Sequence, residues 1–207
     1  MKKLICTLLA SALLLTAGIA CAQTAETPAD TLIVCFAVAD NSEVDAVSSA
    51  SVVEYHGAPM GKVSVLASMI QQKTGADLFS IDTDVAYPAG IMDLIDFALV
   101  EQDENTRPAI LNSIENIDQY NTIFVGYPLW WYDLPQVMYT FFDMYDLSGK
   151  AVIPFCTHNG SRFSGTIGTI EELEPDATVI HDGFTVSEWD VLEAGADVDT
   201  WLSELGY

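Results

Sequence analysis

The sequence predicts an α/β protein in which an open sheet of five parallel strands lies between two layers of helices. Five short runs rich in β-branched and aromatic residues alternate along the chain with regions of helical periodicity. Such alternation is typical of parallel sheets covered by helices on both faces. Half of the 207 residues are hydrophobic, which is enough to fill the core of a three-layer domain.

The first 22 residues are typical of an export signal. Two lysines at positions 2 and 3 precede an apolar stretch, residues 4–20, that is shorter than a comfortable membrane span. The run Ala20-Cys21-Ala22 fits ordinary signal cleavage, which would release a soluble protein. The run Gly18-Ile19-Ala20-Cys21 is similar to a lipobox, which would make Cys21 a lipidated N-terminus. Both interpretations remain open, and either predicts an exported protein that is secreted, periplasmic or held at the cell surface by lipid.

A polar linker, residues 23–30, is expected to lead into one domain that spans residues 31–207. The elements expected in its first half are a buried strand at 31–38, a long polar segment at 40–59, a helix at 61–74 and a strand at 77–81. Gly75 follows the last periodic residue of that helix and is predicted to cap its C-terminus. Segments as long as 40–59 inside compact domains are usually functional or partly ordered excursions.

The second half of the chain continues the alternation. It predicts helical pieces at 91–100 and 109–117 separated at Pro108, a strand at 122–127, a helix at 135–145, a strand at 150–156, a helix at 165–173, a strand at 179–186 and a closing helix at 188–205. Pro135 suits the first turn of its helix. Pro154 is unusual inside a strand, because proline has no N–H to donate to a neighbouring strand.

Charge and cysteine content exclude several classes of function. The chain has 30 acidic residues against 7 lysines and arginines, a net charge of −23. This charge repels nucleic acids and anionic membrane surfaces, so contact with a membrane is expected only through a lipid anchor at Cys21. Cys35 and Cys156 end apolar runs and are expected to be small core residues. Neither the cysteines nor the three histidines have the spacing of a metal site.

Two loops at predicted strand ends contain residues suited to a flat ligand, since parallel sheets bind ligands at the carboxyl ends of their strands. After the third strand, Trp130 and Trp131 offer indole faces for stacking. The alternative is that one or both of them cover the core. After the fourth strand, a small polar loop, Thr157–Gly160, offers backbone N–H groups to polar ring edges or phosphate oxygens.

Three stretches of the chain resemble exported flavodoxin-like proteins: Asn121-Thr-Ile-Phe-Val-Gly-Tyr-Pro-Leu-Trp-Trp131, Tyr139-Thr-Phe-Phe142 and Asp146-Leu-Ser-Gly-Lys-Ala-Val-Ile-Pro-Phe-Cys-Thr157. The resemblance implies strand order 2-1-3-4-5 and FMN as the cofactor. It also implies that two loops border the flavin ring, one formed by Pro128, Leu129, Trp130, Trp131 and Tyr132 and the other by Thr157, His158, Asn159 and Gly160.

The predicted phosphate end of the site departs from the flavodoxin pattern. Flavodoxins hold the FMN phosphate with a hydroxyl-rich turn and a Gly-Asn-Thr type signature at a helix N-terminus, where amides and the helix dipole favour an anion. Here residues 37–39 carry no hydroxyl groups. The candidate phosphate residues are Gly61, Lys62, Val63 and Ser64. Lys62 and Val63 stand where Asn and Thr are expected, although Lys62 adds a positive charge.

Two functions are compatible with these features. The first is an FMN-binding redox protein, in which the cofactor supplies the chemistry and no catalytic residue is required. It would carry electrons to a redox partner or reduce quinone-like small molecules with NAD(P)H, so whether it is an enzyme stays open. The second is a degenerate flavodoxin-like module with weak or no FMN binding, which serves as an exported ligand-binding or interaction protein.

Overall fold

The computed structural model describes residues 30–41 and 51–207. The predicted export signal, the predicted linker up to residue 29 and residues 42–50 of the predicted long loop lie outside the described residues. Within the described ranges, no helix combines the length and the apolar character needed to cross a membrane.

Strands and helices alternate along most of the described chain. Its strands are β1 (Thr31–Cys35), β2 (Val52–Tyr55), β3 (Ala58–Gly61), β4 (Asp77–Ser80), β5 (Thr122–Pro128), β6 (Ala151–His158), β7 (Thr178–Val179) and β8 (Phe184–Ser187). Its helices are α1 (Lys62–Thr74), α2 (Ile91–Asp103), α3 (Gln136–Met144), α4 (Thr166–Leu173) and α5 (Gly195–Glu204).

The main sheet has the order β4-β1-β5-β6, and both β7 and β8 pair with the outer edge of β6. All of these pairs are parallel. Because β7 and β8 occupy one edge position in two pieces, the sheet has five positions in the order 2-1-3-4-5. The predicted fold class and strand order are therefore confirmed.

Alternate residues of the strands build two separate cores. In β1, Leu32 and Val34 belong to the cluster that contains α3. Ile33 and Cys35 belong to the cluster that contains α1 and α5. Because both faces are covered, β1 is buried along its whole length, as its continuous apolar sequence predicts. Cys35 and Cys156 are buried free thiols, one in each core.

Two glycines occupy positions where a side chain would not fit or would be strained. Gly75 ends α1 with φ 69° and donates its N–H to Gln71 O at 2.8 Å, which confirms the predicted cap. Gly126 lies in the middle of β5 under the ring of Phe155 on β6. A Cβ at Gly126 would lie 2.1 Å from Cζ of that ring, so the ring has its place only because position 126 has no side chain.

One predicted helix is absent, and the predicted polar segment at 40–59 is partly ordered. Residues 109–117 do not form a helix, because their polar groups bond to the β4–α2 connection: Ala109 N–H donates to Asp84 Oδ1 at 3.0 Å and Leu111 N–H to Asp82 O at 2.8 Å. The predicted polar segment contains an antiparallel hairpin, β2–β3. Its tip, His56-Gly57, has φ values of 51° and 84°, the positive pair of a tight two-residue hairpin turn.

The outer edge of the sheet explains Pro154. β7 pairs with Ala151 and Val152, and β8 pairs from Phe155 onward, so no partner strand lies opposite Pro154. The edge chain is interrupted where β6 has no N–H to offer. The predicted fifth strand is thus split in two. The closing helix starts at Gly195 rather than at 188, because Glu188 N–H still donates to β6, at His158 O, 2.8 Å away.

Candidate functional site

A cavity of about 280 Å³ opens at the carboxyl ends of β5 and β6. Its volume lies near the lower limit for small-molecule sites. The residues that line it are Ser51, Ile91, Leu94, Ile95, Ala98, Pro128, Leu129, Trp130, Trp131, Tyr132, Thr157, His158, Asn159, Ser161 and Glu188. The cavity therefore combines both predicted ring-side loops with a helix that the sequence did not assign to the site.

One wall of the cavity is apolar and comes from α2. Ile91, Leu94, Ile95 and Ala98 line it, and their spacing of i, i+3, i+4 and i+7 places them on one face of the helix. Ile91 and Ile95 remain exposed. The sequence predicts a helical piece at 91–100, but it assigns no role to the apolar face of that helix.

The loop after β5 is held in a strained turn. Trp130 and Asp133 exchange backbone hydrogen bonds of 3.1 and 2.9 Å. The two residues between them, Trp131 and Tyr132, have φ values of 47° and 67°, which is unfavourable for bulky side chains. Asp133 secures the turn by accepting the Tyr139 hydroxyl at 2.8 Å. Strain of this kind at the mouth of a cavity is typical of functional sites.

The two indoles of this loop have different roles. Trp130 packs edge-on against Phe36 and Tyr87, with ring centroids 5.6 and 5.5 Å apart, and so anchors the loop to the core. Trp131 is 42% exposed, and its Nε1–H donates to Ile95 O on α2 at 2.9 Å. Trp131 thus joins the two sides of the cavity. The core-covering interpretation therefore holds for Trp130, which also lines the cavity, and not for Trp131.

The opposite wall is polar and comes from the ends of β6 and β8. His158 Nδ1 accepts the Gly160 N–H at 2.9 Å, which in the neutral imidazole leaves the proton on Nε2. Burial lowers the pKa of His158, and so does Arg162, while Glu188 opposes them. Gly160 does not line the cavity, and its contribution is this hydrogen bond to the His158 ring. Leu129 N–H donates to Thr157 O at 2.8 Å and ties the two ring-side loops together.

The predicted phosphate residues, Gly61–Ser64, do not line the cavity. Gly61 lies against Ala37, two residues after the end of β1, where a Cβ at position 61 would approach Ala37 Cβ to 2.4 Å. Val63, in the first turn of α1, is buried in the core that this helix covers. Ser64 Oγ donates to Asp40 Oδ2 at 3.0 Å. The side chains that would replace the hydroxyl groups of a flavodoxin phosphate turn are thus buried or already bonded.

Lys62 is the member of this group that reaches the cavity lining. Its N–H donates to Ser51 O at 2.9 Å, and its Nζ lies 3.4 Å from Glu188 Oε2. The ammonium also lies 5.1 Å from the ring centroid of Trp189. The sequence did not reveal Ser51 and Glu188 as lining residues. Glu188 and Lys62 lie 126 residues apart in the sequence.

A buried polar pair lies beside the apolar wall. Glu101 follows Leu94 and Ala98 on the same face of α2, and Tyr87 packs on Trp130. In the described part of the chain, Tyr87 Oη and Glu101 Oε2 are buried without a hydrogen-bond partner of normal geometry. Burial raises the pKa of Glu101 to about 7, and the nearby Tyr87 hydroxyl partly opposes this effect.

Comparison with known proteins identifies similar folds. The family model of the flavodoxins matches residues 50–202, and no curated protein matches the chain. A Bacteroides uniformis protein described as a flavoprotein shares 22% identity, with a TM-score of 0.66 over 86% of this chain and 99% of its own. A similar Bacteroides eggerthii protein shares 24% identity, with a TM-score of 0.57 over 82% of this chain and 98% of its own. A Lactobacillus acidophilus flavoprotein crystallised with FMN shares 19% identity, with a TM-score of 0.57 over 83% of this chain and 97% of its own.

Proposed function

The chain belongs to the flavodoxin family, and on this premise we propose that its cavity binds FMN and that the protein functions in electron transfer. FMN supplies the redox chemistry when bound, and the protein supplies binding, orientation and electrostatics. A flavoprotein of similar fold, from Lactobacillus acidophilus, was crystallised with FMN.

The observation that carries this proposal is the two-sided lining of the cavity. A flavin ring has an apolar dimethylbenzene edge and a polar pyrimidine edge. The apolar face of α2, with Ile91 and Ile95, suits the first edge, and the Thr157–Asn159 segment suits the second. The exposed rings of Trp131 and Tyr132 offer stacking surfaces at the mouth. The residues present therefore fit the ring of the cofactor.

The chain's own residues orient a ring rather than react with it. We propose that His158 donates through Nε2–H and that Asn159 supplies its amide to the polar edge of the flavin. Leu129 N–H holds both ring-side loops in register through Thr157 O. The net charge of −23 is expected to lower the reduction potential of the flavin, because negative charge disfavours added electrons.

The proposal extends to the partner and to the location of the protein. We propose that electrons leave through the open mouth at Trp131 and Tyr132, toward a redox partner or a quinone-like acceptor. We also propose that residues 1–22 direct export, with Cys21 as the candidate for lipid attachment. Mass spectrometry of the mature N-terminus from the native host distinguishes a lipidated Cys21 from an ordinary cleaved end, and an intact Met1 contradicts export.

An FMN titration of the purified protein tests the central proposal. Binding is expected to quench flavin fluorescence at one FMN per chain and to give a yellow protein. Trp131→Ala is expected to weaken binding about 10-fold through lost stacking. Leu192→Ala, at a residue that is similarly exposed but does not line the cavity, is the matched control and is expected to leave affinity unchanged. A protein that stays colourless with excess FMN contradicts the proposal.

The residues at the predicted phosphate end of the FMN site favour a second candidate function. Ala37 and Val63 are buried and lack hydroxyl groups, which supports a degenerate flavodoxin-like module with weak FMN affinity and another exported ligand or partner. Under this alternative, Ala37→Ser combined with Val63→Thr raises FMN affinity markedly. Tight binding by the unmodified protein, with no gain in the double variant, contradicts it.

A further inference from the structure

We propose that Arg107 is a positioning residue for the flavin ring, although it does not line the cavity. It acts through Tyr139 and Asp133 on the strained turn that presents Trp131 and Tyr132 at the mouth. This inference deepens the proposed function and rests on it, because the shape of the turn matters to a flavin only if a flavin binds beside it.

The chain between α2 and β5 packs on one face of α3. Arg107 Nη1–H donates to Gln136 Oε1 in the first turn of the helix, and Arg107 Nε lies 3.7 Å from Asp143 Oδ2 in the last turn. The neighbouring Pro108 O accepts the Thr140 hydroxyl at 2.9 Å. Positions 136, 140 and 143 are spaced i, i+4 and i+7 and therefore share a face. The contacts of this segment thus extend along most of α3.

Tyr139 lies on the same face of α3 and connects Arg107 to the turn. Its ring centroid is 4.5 Å from Arg107 Cζ, within the range of a cation–π contact, and its hydroxyl donates to Asp133 Oδ2 at 2.8 Å. Burial and the hydrogen bond to Asp133 raise the pKa of Tyr139, so the hydroxyl keeps its proton and remains a donor. Asn105 Oδ1 also accepts from the guanidinium, at 2.8 Å, which helps to hold it over the ring.

Asp133 transmits this restraint to the turn, because both oxygens of its carboxylate are bonded. Oδ1 accepts the Leu134 N–H at 2.8 Å, and Oδ2 accepts the Tyr139 hydroxyl. Its backbone exchanges two hydrogen bonds with Trp130. The two residues that lie between them have positive φ values, a conformation that persists only where the surroundings over-determine it. Loss of one restraint therefore favours relaxation of the turn and displacement of its two exposed rings.

The chemistry of the contact requires arginine rather than any cation. A planar guanidinium stacks on an aromatic ring and donates hydrogen bonds in its own plane at the same time, which a lysine ammonium does not do. The ion pair with Asp143 contributes little, because the side chain of Asp143 is 66% exposed. Arg107→Lys therefore separates geometry from charge, since it keeps the charge and loses the stacked plane.

The first test measures the affinities of FMN and riboflavin by flavin fluorescence quenching on the full-length protein. Arg107→Met and Arg107→Lys are each expected to weaken both flavins about 10-fold, the equivalent of one net hydrogen bond. The factor is expected to be the same for both flavins, because they share the ring. Lys73→Met, which removes a positive charge in the last turn of α1, and Asp143→Asn are the controls and are expected to change neither affinity by more than about 2-fold.

A double-mutant cycle tests whether Arg107 acts through Tyr139. Tyr139→Phe keeps the ring beside the guanidinium but removes the hydroxyl that donates to Asp133, and it is expected to weaken both flavins about 10-fold. Combining Tyr139→Phe with Arg107→Met is expected to weaken them about 10- to 30-fold in total, rather than the roughly 100-fold of two independent effects.

Amide hydrogen exchange observes the turn without a flavin. The Trp130 and Asp133 amides close the turn and are expected to exchange about 10-fold faster in Arg107→Met than in the unmodified protein. The Tyr145 amide, which donates to Phe141 O at the end of α3, is expected to keep its rate. A general loss of stability does not produce this difference.

The other outcomes contradict the inference. Unaltered affinity in Arg107→Lys means that charge alone suffices, and additive losses in the cycle mean that Arg107 acts independently of Tyr139. Equal acceleration at Tyr145 means that α3 as a whole is destabilised. Unchanged exchange at Trp130 and Asp133 in Arg107→Met also overturns the inference, and the flavin site then stands. If the unmodified protein binds neither flavin, the proposed function fails, and the role of Arg107 toward a flavin fails with it.

Discussion

Replacing Glu101 with Gln is expected to remove a large pH dependence from the stability of the protein. Glu101 is 4% exposed and lies beside the apolar face of α2 that lines the cavity. Burial is the main cause that raises the pKa of its carboxyl to about 7. The Tyr87 hydroxyl partly opposes this effect, because it favours the ionised carboxylate.

The magnitude follows from the linkage between proton binding and folding. The carboxyl has an ordinary pKa of 4.5 and a pKa of about 7 in the folded protein, a difference that corresponds to roughly 3 kcal/mol. Because the folded state holds the Glu101 proton more tightly than the unfolded state, the stabilisation that this carboxyl contributes is fully present below about pH 4.5. The contribution is lost as the pH rises through about 7.

Urea unfolding at several values between pH 5 and pH 8.5 measures the effect. The free energy of unfolding of the natural protein is expected to fall by roughly 2.5 kcal/mol more than that of Glu101→Gln over this range, since part of the effect is already lost at pH 5. Taking the difference removes the titration of the other carboxyl groups, which both proteins share. Glu104→Gln, at an exposed position directly after α2, is the matched control and should parallel the natural protein.

Two results would refute the reasoning. Parallel profiles for the natural protein and Glu101→Gln would mean that the folded state binds the Glu101 proton no more tightly than the unfolded chain. A natural protein that gains stability with rising pH relative to Glu101→Gln would mean that the folded site favours the carboxylate. Tyr87→Phe supplies an internal check, since loss of the hydroxyl is expected to move the midpoint of the difference profile to higher pH.

Three further predictions concern the sheet and the cavity. Gly126→Ala is expected to cost about 3 kcal/mol in urea unfolding because its Cβ would overlap the Phe155 ring; Phe155→Leu should recover part of this loss in the double variant, and a loss below 1 kcal/mol contradicts the overlap. Trp131→Phe removes the hydrogen bond to Ile95 O and is expected to cost about 1 kcal/mol, with an unchanged unfolding midpoint as the contrary result. Lys150→Met leaves the buried Tyr120 carbonyl without its donor and is expected to cost about 1–3 kcal/mol in thermal unfolding, whereas an equal melting temperature contradicts it.

The elements that the sequence predicts well are those whose signals are local. The continuous apolar run of β1 identifies a strand buried on both faces, and Gly75 identifies the end of α1, because both depend on neighbouring residues alone. Residues 109–117 were assigned wrongly because their backbone groups bond to Asp82 and Asp84, and no local pattern reveals such partners. The His56-Gly57 turn does have a local signal in Gly57, but glycine marks irregular loops and hairpin turns alike and does not distinguish them.

The candidate site was predictable to the extent that it follows strand ends. Trp131 and His158 lie directly after β5 and at the end of β6, so the parallel topology brings their loops together. The α2 wall was not assigned, because an apolar helical stripe predicts burial equally well against a core or a ligand. The Lys62–Glu188 pair joins residues 126 positions apart, and only the folded chain shows that they meet.

The broken outer edge of the sheet bears on how copies of this chain meet one another. An unbroken edge strand presents a row of free N–H and C=O groups to which a second molecule can add a strand. Here the edge is divided between two residues of β7 and four of β8, and the gap lies opposite Pro154. The opposite edge, β4, also has only four residues. Neither edge offers a long template for intermolecular strand addition, which favours a chain that stays free of fibrillar aggregates at high concentration.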